Sequence, residues 1–315
     1  MNKKTIHRVE KYKQGLDSIS NTLDGKETIY AGIRPWGYHP GNSIVLAIYP
    51  HLLAEKVSER GINPEFKYTI TINDMESVKY DFDNFCPLDT SFEFAHNIAS
   101  TEKVINKDLE HMLKAFPDID ISFVKSSSFK NTREFSKVSE ILINQKKWFA
   151  NNYLKESYLD GKNVDEMQFM GLICNECNEP ILNTAYEDNI FFGYCNNCDR
   201  MYSGSQEVMN FWMYYVGLIG MKLSIIQPDV ALLGCDYIQT EQERAESLTK
   251  DNPLDSIMKF YDSLGGRQLN FLLGPVLLSR DGRKMSKTFN NIEYLPYEKV
   301  YSICQKHTER EIRCL

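Results

Sequence analysis

Three groups of residues in this 315-residue chain combine residue types and spacings that suit chemistry. The first is Cys174-x-x-Cys177 together with Cys195-x-x-Cys198, with 17 residues between the pairs. Four thiolates in two such pairs suit a tetrahedral zinc ion, and four cysteines leave it no open position, so the metal is expected to be structural. It would stabilise a segment too small to bury a core of its own. The second group is His39-Pro40-Gly41-Asn42, just ahead of a helix-like segment. A helix N-terminus offers N–H groups and a favourable dipole to phosphate. An imidazole and an amide add donors where negative charge grows, and Gly41 lets a ligand approach the backbone closely. Taken alone, the same four residues also read as a surface turn and a helix cap. The third group is the loop Asp281-Gly282-Arg283-Lys284-Met285-Ser286-Lys287-Thr288. Lys284 and Lys287 suit the clamping of a pyrophosphate leaving group. Alone, such a charge run also reads as a solvated loop.

The elements that must position these groups follow from hydrophobic periodicity. Residues 1–24 read as a helical lead-in. Thr28–Ile33 reads as a buried strand, stopped by the turn Arg34-Pro35-Trp36-Gly37. Ser43–Arg60 carries a broad apolar stripe ended by Gly61, a helix, and Lys67–Ile72 is a second strand. Strand, helix, strand is a βαβ unit and predicts a parallel sheet. A helix over Phe94–Ala115, a strand over Ile119–Val124 and a helix over Lys137–Tyr158 follow. Residues 165–205 are rich in Cys, Asn and Gly. Beyond them come a helix-like Glu207–Gly220, a strand Asp229–Gly234 and an apolar run Leu269–Leu278 that ends in the charged loop 279–288. The predicted organisation is α/β: a Rossmann-like parallel sheet split by a small zinc-binding insertion. Residues 1–160 form its first half, 161–205 the insertion and 206–315 the second half. Its ligand is expected beyond the carboxyl ends of the strands, where the strand order switches.

Composition narrows the function classes. Hydrophobic residues make up 42% of the chain, charged residues 25% and aromatic residues 12%, values of a globular protein and not of a disordered one. The net charge of −7 and pI near 5.5 exclude a whole-chain basic footprint for nucleic acid, though not a local one. The longest apolar stretch, Phe211–Met221, is too short and too polar to span a bilayer, and the N-terminus carries no secretory pattern. A soluble, cytoplasmic protein without membrane partners is the expectation. Cys86, Cys235, Cys304 and Cys314 are scattered and do not suit a disulfide framework.

Taken together, His39-Pro40-Gly41-Asn42 and Lys284-Met285-Ser286-Lys287-Thr288 make the chain resemble the class I aminoacyl-tRNA synthetases. Their first signature reads H-x-G-H or H-x-G-N at a helix start after the first strand, and their second K-M-S-K-S late in the catalytic domain. Ala31-Gly32-Ile33-Arg34-Pro35-Trp36-Gly37, Thr71-Ile72-Asn73-Asp74-Met75-Glu76 and Thr90-Ser91-Phe92-Glu93-Phe94-Ala95-His96-Asn97 are similar to segments of the class I lysyl-tRNA synthetases.

The resemblance implies ATP-dependent activation of an amino acid, lysine or a lysine-like one, to an aminoacyl-adenylate, with Mg2+ accompanying ATP and transfer to tRNA or another acceptor. His39, Asn42, Lys284 and Lys287 are its implied catalytic residues. Gly32, Gly41, Gly234, Asp236, Met285 and Ser286 are implied to bind ATP, with Asp236 of Leu233-Gly234-Cys235-Asp236 accepting from the ribose hydroxyls. Asp236 reads equally as a helix N-cap. A cationic substrate needs a carboxylate to face it, and Asp74 is the first candidate, with Tyr30, His96 and Trp212 as further pocket residues. Core packing accounts as well for Tyr30 and Trp212, and a satisfied helix histidine for His96. In the family, zinc modules between the two halves help position the acceptor end of tRNA.

The chain departs from the pattern at Asn42, Thr288 and Pro40, each of which keeps a donor, a hydroxyl or a first-turn fit. Only 27 residues follow Thr288, fewer than the family's helical anticodon-binding domain needs. Recognition of an acceptor stem alone, help from a partner, a non-tRNA acceptor or a fragment all accommodate that. Two alternatives stand beside the ligase reading: a non-catalytic paralogue that senses an amino acid or nucleotide, and a nucleotidyltransferase of the related H-x-G-H superfamily.

Overall fold

Alternating β-branched and aromatic residues build the centre of the molecule. The computed structural model describes residues 16, 20–33, 43–72, 74, 79–81, 86–89, 93–153, 161–213, 237–241, 270–274, 276–278, 295–306 and 311–313. β1 (Thr28–Ile33) pairs in parallel with β2 (Lys67–Ile72), Ile29 opposite Tyr68 and Ile33 opposite Ile72. Two short strands, β3 (Lys79–Asp81) and β4 (Cys86–Asp89), form an antiparallel ribbon. β5 (Asp120–Lys125) then pairs with β2, and the sheet is completed on the far side of β1 by strands described below.

One face of the sheet is dry. Ile29, Ala31, Ile33, Tyr68, Ile70 and Ile72 pack against Leu46, Ala47, Leu53 and Val57, which follow β1, and against Ile105, Leu109 and Met112. The first set lies in a π-helical turn over Ile44–Ile48 and in α1 (Tyr49–Glu59), so the predicted single helix over Ser43–Arg60 is in two parts. α1 ends in a Schellman motif: the Gly61 N–H donates to Ser58 O (2.8 Å) and the Ile62 N–H to Val57 O (3.4 Å), with Gly61 at φ +77°. The second set lies on α2 (Glu93–Ala115), its stripe positions spaced by four, then three, residues. The opposite face of the sheet carries Tyr30, Gly32, Thr69, Thr71 and Ser122, and is far more polar.

After β5 a 3-10 turn (Ser126–Asn131) leads to α3 (Arg133–Ser139), a π-helical turn (Glu140–Asn144) and α4 (Lys146–Tyr153). The expected helix over Lys137–Tyr158 is thus interrupted. Its apolar side turns to the cysteine segment: Phe135 meets Phe211 (5.2 Å between ring centroids) and Phe149 meets Phe169 (5.1 Å). Asn144 Nδ2 donates to Tyr186 O (2.6 Å), and Ser136 Oγ lies 2.7 Å from Gln206 Oε1.

The cysteine segment is a pair of antiparallel sheets. β6 (Met170–Ile173), β7 (Pro180–Ile181) and β11 (Asn210–Met213) form one in the order β11-β6-β7. β8 (Ala185–Glu187), β9 (Ile190–Cys195) and β10 (Arg200–Ser205) form the other, with β9 in the middle. The β8–β9 hairpin turns on Asp188 and Asn189, both at positive φ (50° and 65°), the requirement of a type I′ turn. The pairing of β11 with β6 carries this module past residue 205. It also corrects the helix expected over Glu207–Gly220: residues 210–213 are strand. A short run of consecutive apolar residues, here Phe211-Trp212-Met213, serves a buried strand as well as a helix.

The chain then returns to the parallel sheet with β12 (Tyr237–Glu241), which pairs with β1, and β13 (Asn270–Gly274), which pairs with β12. The strand expected over Asp229–Gly234 lies outside the described residues, while the apolar run Leu269–Leu278 is strand in β13 and β14 (Val276–Leu278). Helix α5 (Tyr297–Lys306) docks Val300 and Cys304 against Ile48 and Leu52, and β15 (Glu311–Arg313) pairs with β14. The parallel sheet runs β13-β12-β1-β2-β5, so strand order reverses between β1 and β12. That is the strand order of doubly wound α/β sheets, with the cysteine module inserted between the third and fourth strands in chain order.

Candidate functional site

Two places in the fold gather the residues that carry chemistry. In the module, β6 delivers Cys174 and β9 delivers Cys195, and each C-x-x-C turn is closed by a residue in the left-handed region: Asn178 at φ +63° and Asp199 at φ +53°. Asn and Asp tolerate that region better than other side chains with a Cβ. In the first turn the Cys174 N–H donates to Glu179 O (2.9 Å) and the Asn178 N–H to Cys174 O (2.9 Å).

The two turns bring Cys174 Sγ within 3.7 Å of Cys198 Sγ and Cys177 Sγ within 3.6 Å of Cys195 Sγ, and all four sulfurs lie within 4.8 Å of one another. A disulfide needs about 2.05 Å, so these are free thiols. Four sulfurs about 2.3 Å from a tetrahedral zinc would sit about 3.8 Å apart. The donor set therefore fits one thiolate-bound metal ion. The Tyr202 hydroxyl lies 3.2 Å from Cys174 Sγ. Burial raises the Cys174 thiol, but the N–H groups of Cys177 and Glu176 and that hydroxyl outweigh it and bring it down to about 6. Cys198 is pushed up by its contacts with the Cys177, Cys174 and Cys195 sulfurs, Cys177 first, with burial adding to the rise. Arg200 pairs with Glu176 across the two turns.

The second place is the carboxyl edge of the parallel sheet. Tyr30 and Gly32 lie on β1 beside the switch in strand order, Tyr30 buried and Gly32 partly open. Asp74 follows β2. Its N–H donates to Ile72 O (3.0 Å), and its carboxylate accepts from the Ser127 N–H (2.9 Å) and Ser127 Oγ (2.6 Å). Ser127 belongs to the turn that follows β5, so the ends of two adjacent strands hold this carboxylate in place. His96 lies in the first turn of α2.

Trp212 is not at this edge. It is fully buried in the module opposite Gly171, where an added Cβ would come within 2.8 Å of the indole. His39, Gly41, Asn42, Gly234, Asp236, Lys284, Met285, Ser286 and Lys287 lie outside the described residues. The first of them nonetheless follow Ile33, the last residue of β1, in the chain.

Sequence reasoning missed Ser127 and Thr71. Ser127 had a signal, the run Ser126-Ser127-Ser128 at the end of a strand, where short hydroxyl side chains bond to nearby backbone and carboxylates. Thr71 had none, because a threonine in an alternating strand reads as ordinary strand sequence.

No protein-family model and no curated protein matches the chain. Among solved structures it is similar to a tyrosyl-tRNA synthetase from Archaeoglobus fulgidus complexed with L-tyrosine, at 14% identity and TM-score 0.42 over 95% of this chain and 73% of that one. It is similar also to the Leishmania major tyrosyl-tRNA synthetase in complex with tyrosinol, at 12% identity and TM-score 0.38 over 91% of this chain. A third is a glutamate tRNA ligase from Elizabethkingia meningosepticum in complex with its amino acid, at 13% identity and TM-score 0.38 over 84% of this chain. The chain spans 33% of the length of the second and 52% of the third. Among the described residues no helix is long and apolar enough to cross a membrane.

Proposed function

We propose that this chain activates an amino acid with ATP, forming an aminoacyl-adenylate on the carboxyl edge of its parallel sheet. One observation carries the reading: strand order reverses beside β1, and β1 is the strand whose end leads in the chain into His39-Pro40-Gly41-Asn42. In doubly wound sheets the ligand crevice lies at that reversal. In the proposed reaction a carboxylate oxygen of the amino acid attacks the α-phosphorus, and the bond to the bridging oxygen breaks to release pyrophosphate. His39 and Asn42 donate to the phosphates as charge grows, and Lys284 and Lys287 neutralise the leaving pyrophosphate, which Mg2+ accompanies. Gly32 and Gly41 let the nucleotide close on the backbone, Gly234 and Asp236 take the ribose, and Met285 and Ser286 shape the loop between the lysines.

Asp74 is proposed to face a cationic side chain, which favours lysine or a close analogue. Its fixed orientation supports this, since a preoriented carboxylate loses little freedom on binding an ammonium. Tyr30 and His96 complete the proposed pocket, and Trp212 is left to the module core. The four cysteines are proposed to hold a structural zinc ion, and the module to help place an acceptor, tRNA or another nucleophile. The test is amino-acid-dependent ATP–pyrophosphate exchange over the twenty amino acids with metal-loaded protein. Exchange with lysine, lost in Lys287→Ala with the fold intact, is expected. Exchange with none of the twenty would overturn the reading.

A further inference from the structure

Thr71 occupies the penultimate position of β2, one strand away from the reversal in strand order, and its side chain is fully buried. Its Oγ1 has no hydrogen-bond partner among the described residues. Its neighbours on the polar face of the sheet are otherwise satisfied: Thr69 Oγ1 lies 3.2 Å from Ser122 Oγ, and Ser127 takes both oxygens of Asp74. An orphaned hydroxyl in the interior destabilises the fold, because it has left water without replacing its hydrogen bonds. A valine at the same place would fill the same volume without that loss. A polar group of this kind is best explained by something that binds it.

The register shows from where. Thr71 lies directly across from Gly32 on β1. Side chains alternate along a strand, so position 32 and Thr71 share the polar face, and glycine leaves its place in that row empty. Gly32 is partly exposed, whereas Ala31 and Ile33 on either side of it are buried. A small ligand settling over Gly32 would bring a polar group to the next strand, against Thr71 Oγ1. Three residues further along the chain, past the end of β2, Asp74 supplies negative charge, so a cationic N–H donor is favoured over an anionic acceptor there.

We propose that Thr71 Oγ1 accepts a hydrogen bond from an ammonium group of the amino-acid substrate, and so is a further substrate-binding residue. This rests on the proposed amino-acid activation and adds to it a residue that no motif marks. In the ligand-free protein Thr71 lowers stability, and in the complex it contributes to binding.

The experiment compares wild type with Thr71→Val and Thr71→Ser in two readouts, the melting temperature without ligand and the KM for lysine and for ATP in pyrophosphate exchange. Thr71→Val is expected to melt higher than wild type, by a few degrees or less. Its KM for lysine is expected to rise by about tenfold or more, the effect of losing a hydrogen bond to a charged group, with the KM for ATP unchanged. Thr71→Ser keeps the hydroxyl and should stay near the wild-type KM for lysine. A Thr71→Val protein that melts lower shows that the hydroxyl is already partnered and overturns the proposal. An unchanged lysine KM overturns it too, and leaves amino-acid activation standing. If wild type itself shows no exchange with any amino acid, the activation reading fails first and the proposal with it.

Discussion

The parallel sheet and the cysteine module hold their shapes by different means. The sheet layers β1 and β2 against two helices, so that Ile29, Ala31, Ile70 and Ile72 are almost wholly out of water. Most of its stability comes from apolar area. The module has thinner sheets and tighter turns. All five non-glycine residues at positive φ among the described residues lie in it, and all are Asn or Asp: Asn178, Asn183, Asp188, Asn189 and Asp199. It borrows Phe135 from α3 and Phe149 from α4 to close its core, and its two turns converge on four sulfurs. Burial that is spread through a large core is robust to the loss of any one group. A fold pinned at four atoms, as the proposed metal ion would pin this one, is not.

Metal removal should separate the two regions most strongly. Structural zinc contributes on the order of 10 kcal/mol to small modules, so a chelator should unfold residues 161–213 together with the apolar side of α3 and α4, while the sheet retains its protection in hydrogen exchange. Loss of protection in both regions at once would merge them into one cooperative unit. If no metal co-purifies with the chain and chelation leaves melting unchanged, the metal centre is disproved.

A cavity in the sheet should come next. Ile70→Ala, at a fully buried position of β2, is expected to cost about 3 kcal/mol in global unfolding and to leave metal content unchanged. A parallel loss of metal would show that the sheet organises the module. Smaller again is Gly171→Ala. The new methyl would lie 2.8 Å from Trp212 Nε1 and 2.9 Å from Cε2, so the indole must move, at about 1–3 kcal/mol. The loss should appear in the module's melting and not in the sheet's, and a Gly171→Ala protein as stable as wild type would contradict the packing described for Trp212.

The smallest effect concerns α5 on the sheet side. His51 Nδ1 lies 2.8 Å from Tyr297 Oη, Phe116 and Tyr301 flank the ring, and Glu55, on the same helix, is 3.7 Å from Nε2. Burial holds His51 below its usual value of 6.5; Glu55 acts against this, and His111 adds to it. The fold therefore prefers the neutral imidazole. Its contribution is complete above pH 6.5 and is lost as pH falls from 6.5 through the lowered folded value. Asp108, raised by burial, has the opposite sign and contributes at lower pH. Its influence is common to wild type and to His51→Gln, so the difference between them isolates His51. The melting temperature of wild type should fall more than that of His51→Gln on acidification below pH 6.5, and equal slopes would remove His51 as the cause.

Much of this architecture was legible in the sequence, and the exceptions have physical reasons. β1, β2 and α2 fall at or within a residue of their expected bounds, because long or clean apolar periodicity leaves little choice of element. The cysteine cluster was legible from spacing alone. The helix after β5 was expected to continue unbroken, and its side chains gave no sign that their partner was Phe169 or Phe211, far along the chain. At Phe211-Trp212-Met213 three apolar residues in a row were too few to choose between periods. At the sheet edge, Asp74 was visible as a charge at a strand end, whereas Ser127, which orients it, was hidden by a sequence separation of 53 residues.

The proposed activity requires one nucleotide to meet both ends of the chain's chemistry at one crevice. An experimental structure with a non-hydrolysable ATP analogue and Mg2+ should place the triphosphate beyond the carboxyl ends of β1 and β12, with His39 and Lys287 both in contact with it. A nucleotide bound elsewhere, or those two residues on opposite sides of the molecule with no cleft between them, would contradict it.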